Sequence, residues 1–143
     1  ITAGILCACN KDQLISLSNF SASLGLAFQI QDDILDYYGD ENLTGKKVGK
    51  DYEEGKFTLP VITALKYAHT ENRKKLLALL ENPEKGSFQE ILGILNEERT
   101  FEKIQDVFDF YYKECMRELS KLPQNSYRTA LEDIVSNLAT RLT

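Results

Sequence analysis

Between Asp12 and Tyr38 the sequence favours one conformation, a long helix that is apolar around most of its circumference. Leu14, Leu17, Phe20, Leu24, Ala27, Phe28, Ile34 and Leu35 recur at helical spacing, and no proline interrupts them. Gly39-Asp40 provides the stop. Placed on a helical wheel, Gly25, Gln29, Asp32, Asp33 and Asp36 gather within an arc of roughly 100°. A helix apolar on most sides is expected to be buried. Burying unpaired carboxylates costs several kcal/mol each, so the acidic arc is expected to face a wet cleft or a cation. The competing reading is a solvated acidic face, where the Asp32–Asp36 repulsion costs only about 0.2–0.5 kcal/mol.

The rest of the chain predicts an all-α fold. Residues 39–57 hold four glycines among many charges and read as a loop; loops of that length without their own structure are usually functional or disordered. Thr58 is placed to cap the next helix, with Pro60 in its first turn and Val61 to Ala68 continuing it. Thr70 is expected to cap Glu71 to Leu80, and Asn82 to Gly86 forms a turn. Ser87-x-x-Glu90 resembles a capping box opening a helix to about Glu98. His69, the single histidine, marks a helix end in this reading rather than a catalytic base. Thr100 begins a long amphipathic helix stopped at Pro123, and Ser126 caps a last one carrying Leu131, Ile134, Val135, Leu138 and Leu142. No strand alternation or repeat is visible.

Composition narrows the function classes. A net charge of -5 and a pI near 5.0 lack the basic stripe of a nucleic-acid surface. No apolar run approaches the roughly 18 residues of a membrane span, and the first residues have no basic lead of a signal peptide. Cys7, Cys9 and Cys115 are odd in number and lack Cys-x-x-Cys spacing, which predicts buried reduced thiols and a cytoplasmic setting.

The chemistry is concentrated where helix meets loop. Carboxylate oxygens suit Mg²⁺, which commonly bridges one or two carboxylates to substrate phosphates. Lysines on a glycine-rich loop could reach the same phosphates from the other side. Lys46, Lys47, Lys50 and Lys56 are equally compatible with a solvated connection. No P-loop pattern is present, and the acidic spacing is not that of a calcium loop.

Taken in order, Leu26-Ala-Phe-Gln-Ile-Gln-Asp32-Asp33-Ile-Leu-Asp36-Tyr37, Gly39-Asp40, Gly45-Lys46, Gly49-Lys50-Asp51, Gly55-Lys56 and Thr58-Leu59-Pro60 resemble the second aspartate-rich region of trans-type isoprenyl diphosphate synthases. Leu119-Ser-Lys-Leu122-Pro123 and Tyr127-Arg-x-Ala-Leu131 resemble the tail of long-chain members such as octaprenyl diphosphate synthases. The resemblance implies a helical bundle of the isoprenoid synthase type, usually a homodimer, that condenses an allylic diphosphate with isopentenyl diphosphate. It implies that Asp32, Asp33 and Asp36 are the catalytic acids and hold Mg²⁺. Lys46 and Lys56 then contact the allylic diphosphate, and Gln29 lines the cleft.

Asp32-Asp33 is the one adjacent aspartate pair in the chain, whereas the family carries two such motifs. Residues 1–143 are therefore expected to form the C-terminal part of a synthase domain, with the motif at 32–36, the loop at 39–57 and the last helices at 59–142. Such a chain would supply one half of the site. Two other readings stay open: a non-catalytic helical subunit of the same ancestry, and a terpene cyclase-like protein using the same metal chemistry.

Overall fold

The computed structural model describes residues 2–39, 47–81 and 88–140. Among them there are eight helices and no strand. In order they are α1 (Thr2–Leu6), α2 (Lys11–Tyr38), α3 (Lys50–Glu53), α4 (Leu59–Tyr67), α5 (Thr70–Glu81), α6 (Phe88–Glu97), α7 (Thr100–Ser120) and α8 (Ser126–Thr140). The expected turn at 82–86, Ser87 and Leu142 lie outside the described residues.

The long helix is present and its start has a local cause. Gln13 N–H donates to Asn10 Oδ1 at 2.9 Å while Asn10 N–H donates to Gln13 Oε1 at 3.0 Å, a reciprocal cap. The last helix is capped one residue earlier than expected. Arg128 N–H donates to Asn125 Oδ1 at 2.9 Å, so Asn125 is the cap and Ser126 is already helical. α7 ends at Ser120, short of Pro123, where the Arg128 guanidinium covers the carbonyls of Ser120 and Leu122 at 3.3 and 3.0 Å. That contact gives the Tyr127-Arg stretch a structural role.

Two compact units divide the chain, residues 1–31 with 107–143, and residues 32–106. In the first, Phe20, Cys115, Leu119 and Val135 form a buried cluster against Leu24, Tyr112, Met116, Leu122 and Leu131. Gln31 is buried there and its amide donates to the Leu138 carbonyl. Glu118 is fully buried and ion-paired to Lys121 and Arg117 at 2.7 and 2.9 Å. The Lys121 hydrogen bond is the main reason its carboxyl lies below the usual value of 4.5.

In the second unit the core is Tyr37, Tyr52, Val61, Ala64, Leu76, Leu80, Ile91, Ile94 and Leu95. Each fully buried aliphatic side chain of this kind stabilises the fold by about 1.5–3 kcal/mol relative to exposure. Buried Glu98 joins the ends of α5 and α6, accepting from His69 N–H at 3.2 Å and from the Asn72 amide at 2.9 Å. His69 therefore precedes the start of α5, rather than marking a helix end as expected.

Three expectations need correction. Within 39–57, the described residues 47–57 include α3, and Tyr52 is only 8% exposed. That stretch is a docked element, held by contacts with residues distant in sequence. α2 is less covered than its composition suggests, with Leu26 and Phe28 47% and 56% exposed. Of the three cysteines, all free, Cys115 is buried and Cys7 is exposed. Burial pushes the Cys115 thiol up to about 11. No described helix is long and apolar enough to cross a membrane.

Candidate active site

The three aspartates near the end of α2 sit in three different environments. Asp32 is exposed, Asp33 is 8% exposed and Asp36 is half-buried. Their spacing puts them within one helical turn, yet the neighbouring backbone treats them differently. Asp33 Oδ2 accepts the N–H of Leu59 at 3.1 Å, at the start of α4. Thr58 occupies the extended cap position there but contributes no side-chain cap hydrogen bond. The cap expected from Thr58 is therefore supplied by an aspartate 26 residues upstream.

Asp36 does the same for α3. Its Oδ1 accepts Lys50 N–H and its Oδ2 accepts Asp51 N–H, both at 3.2 Å, while its carbonyl accepts Gly49 N–H at 2.6 Å. Burial raises the Asp36 carboxyl above its usual 3.8; the Asp51 N–H opposes this, and the Asp51 and Asp32 charges add to it. Gly49 has φ +77°, and a Cβ there would stand 2.9 Å from the Phe88 ring, so only glycine fits.

Beneath this segment lies an aromatic group. The Phe88 ring is 5.6 Å from Tyr37 and 6.2 Å from Tyr52, separations typical of favourable aromatic pairs. The Tyr37 hydroxyl and Thr58 Oγ1 are both buried without a hydrogen bond of normal geometry. Burial lifts the Tyr37 phenol to about 12; the nearby Thr58 hydroxyl opposes this, and the Asp36, Asp51 and Asp33 charges add to it.

The lysines are held among acids. Lys56 Nζ is 2.6 Å from Glu54 and 3.7 Å from Asp51, with its side chain 60% exposed. Its pKa is raised, chiefly by the Glu54 hydrogen bond, and that of Glu54 is lowered by the same bond. Lys47 pairs with Glu53, and Lys50 lies 3.6 Å from Glu54. Residues 47–56 thus carry three lysines and three acids, so the segment is charge-balanced rather than cationic. Lys46 lies outside the described residues. Gln29 is exposed on the part of α2 that belongs to the first unit. The structure therefore forms two hydrogen-bonded sets at the end of α2, Asp36 with Lys50 and Asp51, and Asp33 with Leu59.

Among the described residues no group of three or more carboxylate, histidine or cysteine side chains converges to hold a metal by itself. Mg²⁺ would need only one or two carboxylates here if substrate phosphate oxygens supplied the rest, its usual way of binding at substrate sites. Of the three aspartates at the end of α2, Asp32 is the exposed one. In the first unit, Gly25 lines an apolar cleft of about 560 Å³ with Ser21, Leu24, Phe28, Ile134, Asn137 and Leu138. A Cβ at Gly25 would meet nothing within 4 Å.

Residues 1–95 match the family model described as polyprenyl synthetase. Over 78 residues the chain is 44% identical to a short chain isoprenyl diphosphate synthase of Methanocaldococcus jannaschii, covering 54% of this chain and 24% of that protein. It resembles the crystal structure of a decaprenyl diphosphate synthase from Rhodobacter capsulatus with a TM-score of 0.82 and 28% identity, covering 99% of this chain and 43% of that one. A geranylgeranyl pyrophosphate synthase from Corynebacterium glutamicum, complexed with calcium and isoprenyl diphosphate, gives a TM-score of 0.77 at 28% identity, covering 94% and 42% of the two chains. The chain thus spans about a quarter of that curated relative and under half of each of these structures.

Proposed function

The chain belongs to the polyprenyl synthetase family, and from that premise we propose that its protein is a trans-type polyprenyl diphosphate synthase. In this reading it is a transferase that joins isopentenyl diphosphate to an allylic diphosphate, works as a cytoplasmic homodimer, and draws one half of its site from this chain. One observation carries the reading: the segment bearing Lys50 and Lys56 is folded back onto the acidic end of α2 through Asp36.

Asp32 is the residue that would hold Mg²⁺, which when bound supplies positive charge against the departing diphosphate. By resemblance, Lys56 and Lys46 contact the allylic diphosphate and Gln29 matches a cleft-lining glutamine. Lys56 is now paired with Glu54, but exposed ion pairs are weak and screened; a diphosphate with several formal charges competes readily for it. Preorganised cations of this kind stabilise the charge that develops on a leaving group. The divalent ion and isoprenyl diphosphate named with the C. glutamicum structure support the same substrate class.

A second reading, a helical subunit without catalytic activity of its own, is favoured by the exposed Leu26, Phe28, Phe110 and Ile134, which suit a covering partner. The two separate in one assay. The complete gene product, given isopentenyl diphosphate, short allylic primers and Mg²⁺, should form longer prenyl diphosphates, and Asp32→Ala should lower turnover by orders of magnitude. Wild-type rates in Asp32→Ala would remove Asp32 from this role, and no product from the wild type would favour the subunit reading.

A further inference from the structure

We propose that Asp36, assisted by Asp33, is a positioning residue. Its carboxylate holds the lysine-bearing segment 47–56 against the acidic end of α2 and neither ligates the metal nor touches substrate. The inference rests on the functional reading above, and it assigns different work to three aspartates that look alike in sequence.

Both Asp36 oxygens accept backbone N–H groups of α3, and its carbonyl accepts a third from Gly49. This is the work of a helix cap delivered from another helix. The connection runs on to the lysine. Asp51 N–H is held by Asp36, and the Asp51 carbonyl accepts Lys56 N–H at 2.7 Å. The backbone position of Lys56 therefore depends on Asp36 through one intervening residue. From the other side, Phe88 packs against Gly49, which has no space for a side chain. Asp33 completes the arrangement by holding Leu59 N–H, three residues beyond Lys56. The segment is fixed at both ends by aspartates of one helix.

Asparagine separates positioning from ligation: its Oδ1 still accepts one of the two α3 N–H groups, its NH2 accepts neither, and it lacks the charge that a Mg²⁺ carboxylate ligand supplies. The measurement has two arms. On the complete gene product, hydrogen exchange reads the Lys50 and Asp51 amides, and steady-state kinetics read kcat and KM for the allylic diphosphate. Asp36→Asn should keep one of the two amides protected, with the other lowered, and a KM between those of wild type and Asp36→Ala. Asp36→Ala should lower protection at both amides and raise KM by roughly ten-fold, with a smaller change in kcat. Asp32→Asn should lose turnover while both amides stay protected.

Two results would overturn the proposal. One is Asp36→Asn losing kcat as fully as Asp32→Asn while one of its amides stays protected, which makes Asp36 a ligand. The other is Asp36→Ala leaving the Lys50 and Asp51 amides protected, which removes the tether. Should Asp36→Ala not fold, the two asparagine variants carry the comparison. A wild type without Mg²⁺-dependent turnover counts against the functional reading, while the exchange arm still decides the tether.

Discussion

Asp32 and Asp36 lie one turn apart on α2, and the backbone around them separates their roles: Asp32 is exposed and Asp36 caps α3. A sequence shows the carboxylates and their spacing but not which N–H groups fold back to meet them. The Asp36 partners are 14 and 15 residues away and the Asp33 partner is 26. The same limit applies to Lys56, whose nearest acids, Glu54 and Asp51, come from its own segment. Lys56→Ala should raise the KM for an allylic diphosphate roughly ten-fold if the lysine exchanges Glu54 for phosphate. An unchanged KM and kcat would leave it a surface ion pair. Glu118 gives a prediction independent of the site. Its lowered pKa means that its pairing stabilises the fold fully above about 4.5, and that this is lost as pH falls through its folded value. In urea titrations between pH 6 and 3, as an approximate range, Glu118→Gln should show a shallower acid loss than wild type; identical slopes would contradict the assignment.

At the level of elements, the helices were legible because their signals are local. The 3.6-residue apolar period marks α2, α5, α7 and α8 to within a few residues; two cap errors are single-residue shifts to Asn125 and His69, and a third is Thr58, whose capping role Asp33 takes. α3 was not legible. Four residues cannot form a stable helix by themselves, and this one exists through Asp36, Gly49 and the Phe88–Tyr52 contact. An aromatic residue set among charges, Asp51-Tyr52-Glu53, was the available hint that the segment docks. Gly49→Ala tests this element directly. It imposes positive φ on a residue with a Cβ and drives that Cβ into Phe88. The cost should be about 1–2 kcal/mol, visible as a fall in Tm of several degrees. Adding Phe88→Ala should relieve the clash but not the backbone strain, so the two effects should fail to add. A Gly49→Ala protein as stable as wild type would show that α3 is not clamped as described.

For the molecule as a whole, membership of the polyprenyl synthetase family was readable from the ordered motifs between Leu26 and Pro60, and the all-α fold from the helical spacing and caps along the chain. Less readable was how much of α2 stays exposed. Leu26 and Phe28 have the composition of core residues, and their exposure depends on what packs beside them. A chain with one aspartate-rich motif, spanning 43% of a decaprenyl diphosphate synthase, would on the proposed reading supply one wall of a diphosphate site. The 143-residue chain by itself is therefore expected not to condense isopentenyl diphosphate with an allylic primer, and to self-associate through its exposed apolar residues. Sedimentation and a labelled condensation assay check both; a monomer making prenyl product at enzymic rates would contradict the half-site account. The central claim is that Asp32 and the tethered lysines form a metal-dependent diphosphate site. It is tested most directly by calorimetric titration of farnesyl diphosphate into the chain, with Mg²⁺ and with chelator, for wild type and Asp32→Ala. The account predicts binding that requires Mg²⁺ and disappears in Asp32→Ala. Equal affinity in chelator, or in Asp32→Ala, would contradict it.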